Sequence, residues 1–125
     1  MKSGGLGGYA LGMVEGEDDD LVTDVQVEDG AIVIYVSGEI DIATCGRLRD
    51  AIEPHMGPAQ MIVLDLSGVR FMDSSAITVL VQARGTLTAD GGSLMLRNPS
   101  SAAHRVLSIL HLEDVLIEDR DAQEP

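Results

Sequence analysis

Asp73, Ser74 and Ser75 stand together where an apolar run, Met61 to Leu66 and on through Val69 and Phe71, gives way to helical spacing. Asp and Ser are the residues that cap helices, because a side-chain oxygen accepts from first-turn N–H groups that have no partner inside the helix. The helix dipole adds partial positive charge there, so a phosphate on such a serine is tolerated by the helix. Plain capping and phosphorylation of a hydroxyl are therefore both open to this triplet. Phosphorylation would act on partner binding rather than on folding. At the helix end a phosphate gains about 0.3–1 kcal/mol from the dipole, partly offset by Asp73. Like charge or desolvation in an interface costs several kcal/mol, and each ~1.4 kcal/mol changes affinity about tenfold.

Other residues offer chemistry of different kinds. A serine hydrolase would use Ser75 as nucleophile with His104 or His111 as base; no G-x-S-x-G surrounds the serine, although triads are defined by geometry rather than by order. His104 and His111 lie seven residues apart and Glu113 and Asp114 follow, but no compact ligand pair exists, so neither a metal nor a cofactor is expected. His55, between Pro54 and Met56, reads as a loop residue, and Cys45 near a helix start reads as a small packing residue or a reactive thiol. The arginines Arg47, Arg49, Arg84, Arg97 and Arg105 are dispersed. With almost no aromatics beside them, they indicate no nucleic-acid surface.

The elements that must position these residues belong to one domain, since 125 residues bury one real core but not two. Only 2% of the chain is aromatic, so that core must be aliphatic. No apolar stretch approaches the roughly 18 residues that span a bilayer. The N-terminal SGGLGGYALGMV makes a poor secretion signal. The lone Cys45 cannot form an internal disulfide, and a cytoplasmic protein is expected. Net charge is −13, with −4 from residues 1–20 (five acids, one base), −5 from residues 113–125 (six acids, one base) and −4 from the 92 residues between (ten acids, six bases). Acidic tails thus generate most of the field, which argues against nucleic acid and anionic membrane as partners.

Residues 1–20 read as a flexible Gly-rich acidic extension, 21–118 as the folded domain and 119–125 as a polar tail. LVTDVQVE alternates, Asp29-Gly30 signals a two-residue hairpin, and AIVIYV follows as a second strand. A helix is expected from about Ala43 to Glu53, with Leu48, Ala51 and Ile52 inward, ended by Pro54, Gly57 and Pro58. Then come a strand at Met61–Leu66, a turn at Ser67-Gly68, and a helix from about Ser74 to Ala89 burying Ile77, Leu80, Val81, Ala83 and Leu87. Gly91-Gly92 closes it. A strand at Ser93–Leu96, a helix capped by Ser100 or Ser101 with Val106, Leu107 and Leu110 inward, and a last strand at Val115–Ile117 complete the order. Alternating strands and helices predict an α/β domain, its largely parallel sheet of four to five strands covered by helices mainly on one side.

At these residues the chain resembles the STAS family, specifically the bacterial anti-sigma factor antagonists. The matches are Gly38-Glu39-Ile40-Asp41, the strand VLDLSGV, Phe71-Met72-Asp73-Ser74-Ser75, Gly91-Gly92 and the segment from Asn98-Pro99 to Leu112, in that order. The resemblance implies a mixed sheet flanked by helices and a role that is not enzymatic. It also implies binding, when unphosphorylated, to an anti-sigma factor that doubles as an ATP-dependent serine kinase, which frees a sigma factor for RNA polymerase. By the same resemblance Ser75 aligns with the phosphoacceptor, whose modification dissociates the complex and which a phosphatase resets. Asp73 matches the motif's acid, Asp41 lies in a loop beside the same surface, and Ser74 and Ala76 complete the implied partner-binding set. Ala76 replaces the family's Gly, and its methyl is expected to hinder a partner's close approach. That departure and the acidic extension leave an alternative: a STAS scaffold or sensor that binds a protein or small ligand without phosphorylation of Ser75.

Overall fold

A computed structural model describes residues 20–112. Four strands form one sheet in the order β1 (Leu21–Glu28), β2 (Ala31–Ile40), β3 (Met61–Met72), β4 (Ser93–Arg97). The first pair is antiparallel, closed by a tight turn in which Asp29 and Gly30 both take positive φ, and β3 and β4 then add in parallel. This is the mixed, mostly parallel α/β sheet expected. Three helices connect and follow the strands: α1 (Cys45–Ile52), extended by a 3-10 turn at Glu53–His55, α2 (Ser74–Ala89) and α3 (Ser101–Ile109).

Alternation along the strands gives the sheet two unlike faces. Ile34, Val36, Ile62, Leu64, Leu66, Leu94 and Leu96 point to one side and meet Leu48 and Ile52 of α1, Ala76, Leu80, Ala83 and Leu87 of α2 and Ala103 and Leu107 of α3 in one aliphatic core. All three helices therefore pack on the same face. Burying such side chains stabilises by roughly 1.5–3 kcal/mol each. The aromatic shortage is met by Leu and Ile.

Several local expectations are corrected. Ser67-Gly68 is not a turn: β3 runs through it to Met72, and the register slips there, Tyr35 pairing with Asp65 but Ser37 with Gly68. Bulges and turns favour the same small residues. Here a Cβ on Gly68 would lie 2.6 Å from that of Ser37. β2 likewise runs beyond the AIVIYV stretch, to Ile40. Val81 is half exposed, because it sits about 100° around α2 from Leu80, off the stripe of Ala76, Leu80, Ala83 and Leu87. Leu110, expected inward, is 43% exposed, since α3 has ended and Leu110 is its C-cap. The strand expected at Val115–Ile117 lies outside the described residues.

The opposite face carries a polar clamp with one residue from each strand. Arg97 of β4 donates to Asp65 of β3 (3.3 Å), Tyr35 of β2 (3.0 Å) and Glu28 of β1 (3.4 Å), and Tyr35 donates to Glu28. Asp65, only 4% exposed, also accepts from the Ser67 hydroxyl and backbone N–H and from Asn98. Burial alone would push its carboxyl up, but these donors outweigh it and hold Asp65 below its ordinary value of 3.8. For Tyr35 the hydrogen bond to Glu28 and burial push the phenol up, with Arg97 opposing. A carboxyl whose folded-state pKa is depressed contributes stability that is complete above its unfolded value and is lost as pH falls through the folded one. The urea midpoint of the wild type is thus expected to drop as pH falls below about 4, and Asp65→Asn to flatten that fall while lowering the neutral-pH midpoint by about 1.5–3 kcal/mol equivalent. Equal acid slopes in the two proteins would remove Asp65 as the source.

Candidate functional site

Asp73 is the N-cap of α2. Its backbone is extended (φ −123°, ψ −172°), its N–H donates to the Ile40 carbonyl of β2 at 3.1 Å, and its Oδ1 accepts the Ser75 N–H at 2.9 Å. The Ser75 hydroxyl donates to the same Oδ1 at 2.5 Å. One carboxylate oxygen thus fixes both the first turn of the helix and the Ser75 side chain. Ser74 is exposed, and its hydroxyl has no hydrogen-bond partner among the described residues; Ser75 is half-buried.

Asp41 organises the loop that follows β2. Its Oδ1 accepts from the Ala43 and Thr44 N–H groups, both at 3.0 Å, and lies 3.2 Å from the Thr44 hydroxyl, while Thr44 Oγ1 receives the Asp41 N–H and donates its one proton to the Glu39 carbonyl at 2.8 Å. Thr44 is almost fully buried, so these bonds also satisfy its hydroxyl. Parallel pairing of Ile40 with Met72 brings the Asp41 loop beside the start of α2. In both Asp41 and Asp73 the ladder and turn use Oδ1 alone. Among the described residues no cation pairs with either carboxylate.

Ala76 lies elsewhere than expected. It has no exposed surface and belongs to the core, so its methyl points into the sheet rather than outward at a partner. The change from Gly to Ala therefore fills interior space at the helix start. Two apolar residues that sequence patterning did not single out border the site instead: Ile42, 81% exposed in the loop after Asp41, and Phe71, 48% exposed at the end of β3. An exposed Ile inside a loop leaves no periodic signal, and Phe71 reads as one more member of an apolar strand.

The remaining candidates do not converge on Ser75. Among the described residues its hydroxyl bonds to Asp73 and to no histidine, His104 and His111 are exposed, and no group of three His, Cys, Asp or Glu is placed to hold a metal ion. Cys45 is half-buried, its thiol against the Ile42 carbonyl at 3.7 Å. No helix among the described residues is long and apolar enough to cross a membrane.

Comparison with known proteins agrees with this architecture. The chain is 30% identical over 93 residues to the anti-sigma-B factor antagonist of Bacillus subtilis (strain 168), spanning 74% of this chain and 85% of that protein. The crystal structure of an anti-sigma factor antagonist from Mycobacterium paratuberculosis superposes with a TM-score of 0.70 at 29% identity, over 78% of this chain and 84% of that one. The anti-sigma factor antagonist SpoIIAA in its unphosphorylated form shares the fold, with a TM-score of 0.67 at 23% identity over 81% of this chain and 92% of that one. The STAS domain model matches residues 23–122, a span that holds the whole described sheet from Thr23 onward together with Asp41 and the Asp73–Ser75 cap. The chain belongs to the STAS domain family.

Proposed function

We propose that this protein is an anti-sigma factor antagonist that binds an anti-sigma factor when Ser75 is free and is released when that factor, acting as an ATP-dependent serine kinase, phosphorylates Ser75. A phosphatase acting on phosphorylated Ser75 then restores binding. The observation that carries the reading is the placement of Ser75: its hydroxyl sits in the first turn of α2, held by the Asp73 carboxylate, on the end of the sheet that also carries the Asp41 loop and exposed Ile42 and Phe71, and among the described residues neither carboxylate has a cation partner. Large apolar side chains next to unpaired charge are what a protein partner buries at the centre and rim of an interface. The related anti-sigma factor antagonists support the same role. Phosphate adds close to two negative charges. Asp41 and Asp73 already make this surface anionic, so the phosphate adds like charge to it, and any partner that buries it bears the cost of desolvating that charge and of accommodating its bulk.

The test is to incubate the full chain with its cognate kinase and ATP and map the product by mass spectrometry. One phosphate on Ser75, with the complex dissociating as it accumulates, is the expected result. Modification confined to another residue, or a complex indifferent to ATP, would favour a scaffold that binds without phosphorylation.

A further inference from the structure

Two adjacent serines are available at the start of α2, and only one is held. We infer that Asp73 is a positioning residue that selects Ser75 over Ser74 as the phosphoacceptor; this rests on the phosphorylation reading above. Asp73 Oδ1 accepts both the backbone N–H and the hydroxyl of Ser75, at 2.9 and 2.5 Å. Together these two bonds define the backbone and the rotamer of one residue from a single atom. Asp73 is itself fixed by its N–H to the Ile40 carbonyl of β2, so the acceptor hydroxyl is referenced to the sheet and not merely to the helix end. Ser74 has no such restraint: it is exposed, and among the described residues its hydroxyl has no partner.

In the transfer, Ser75 Oγ forms a bond to the γ-phosphorus of ATP, the bond from that phosphorus to the β–γ bridging oxygen breaks, and ADP leaves with that electron pair. The hydroxyl proton goes to a base of the kinase, late in a loose transition state. Because that proton leaves late, the hydroxyl keeps its bond to Asp73 while the oxygen approaches phosphorus. Rate in such a reaction depends mainly on the position of the nucleophile, and an unfixed Ser74 hydroxyl spreads over its rotamers.

The experiment compares wild type, Asp73→Ala and Asp73→Asn as full chains with the cognate kinase and ATP, reading site-resolved phosphate by mass spectrometry, kcat and KM for each serine, and thermal melting in parallel. Asn keeps an oxygen that caps a helix and accepts both bonds. Asp73→Ala is expected to lower kcat at Ser75 roughly tenfold, the size of one lost positioning hydrogen bond, and to raise the share of phosphate on Ser74. Asp73→Asn is expected to keep the Ser75 preference. A wild-type site ratio and kcat in Asp73→Ala would overturn the inference, as would an Asp73→Asn protein that melts normally yet has lost the preference. Absence of phosphate on Ser75 in the wild type would instead overturn the phosphorylation reading itself.

Discussion

Ser75→Asp is expected to weaken binding of the anti-sigma partner by about 100-fold or more while the urea midpoint stays within roughly 1 kcal/mol of wild type. The two effects separate because the same charge meets two environments. Within the chain, residue 75 is in the first turn of α2, where a carboxylate gains about 0.3–1 kcal/mol from the dipole. It loses the Ser75 hydroxyl bond to Asp73 and faces that carboxylate across two residues, a loss of similar size and opposite sign. Across an interface, the new carboxylate must be stripped of water on the surface that carries exposed Ile42 and Phe71. Several kcal/mol is the usual cost of an unpaired charge so placed. Ser75→Ala, by contrast, should bind as wild type does and become indifferent to ATP. Titration calorimetry at two ionic strengths checks the assignment: a penalty from charge repulsion shrinks with salt, whereas one from desolvation persists. Wild-type affinity in Ser75→Asp would remove this surface from the interface.

What the residues alone revealed, and what they did not, follows from the range of the forces involved. Capping is local: Asp73 and Ser75 are two residues apart, and the sequence shows both the acceptor and the donor. The hairpin at Asp29-Gly30 is equally local, since positive φ at two successive positions needs those residue types. Ser67-Gly68 reads as a turn because a bulge uses the same vocabulary, and only the pairing of Gly68 with Ser37, on a strand far away in sequence, decides between them. The clamp of Glu28, Tyr35, Asp65 and Arg97 was invisible for the same reason. Its members are separated by up to 69 positions, and their meeting depends on strand order and register. Ala76 shows the limit most plainly. Its residue type was legible and its direction was not, because one helix position inward or outward is set by how α2 lies on the sheet.

Gly38→Ala is expected to cost about 3–5 kcal/mol, a large share of the roughly 5–15 kcal/mol that stabilises a domain of this size. Two independent reasons add. Gly38 has φ +104°, beyond the left-handed region that even Asn tolerates, and a Cβ there would lie 2.2 Å from the Asp20 carbonyl oxygen, a backbone atom that cannot swing aside. Moving it breaks the Glu39 N–H bond to that same oxygen. Gly85→Ala is the matched control, because Gly85 lies within α2 with nothing within 4 Å of its added methyl, and the change should stabilise by about 1 kcal/mol. Urea denaturation of both variants reads the opposite signs directly. The consequence reaches the site, since Gly38 begins the segment through Ile40 that receives Asp73 and delivers Asp41 beside Ser75. A Gly38→Ala protein that remains folded at low temperature should therefore bind the partner weakly as well, with Ser75 itself untouched. A midpoint equal to wild type would mean that the β1–β2 approach yields more easily than its geometry allows.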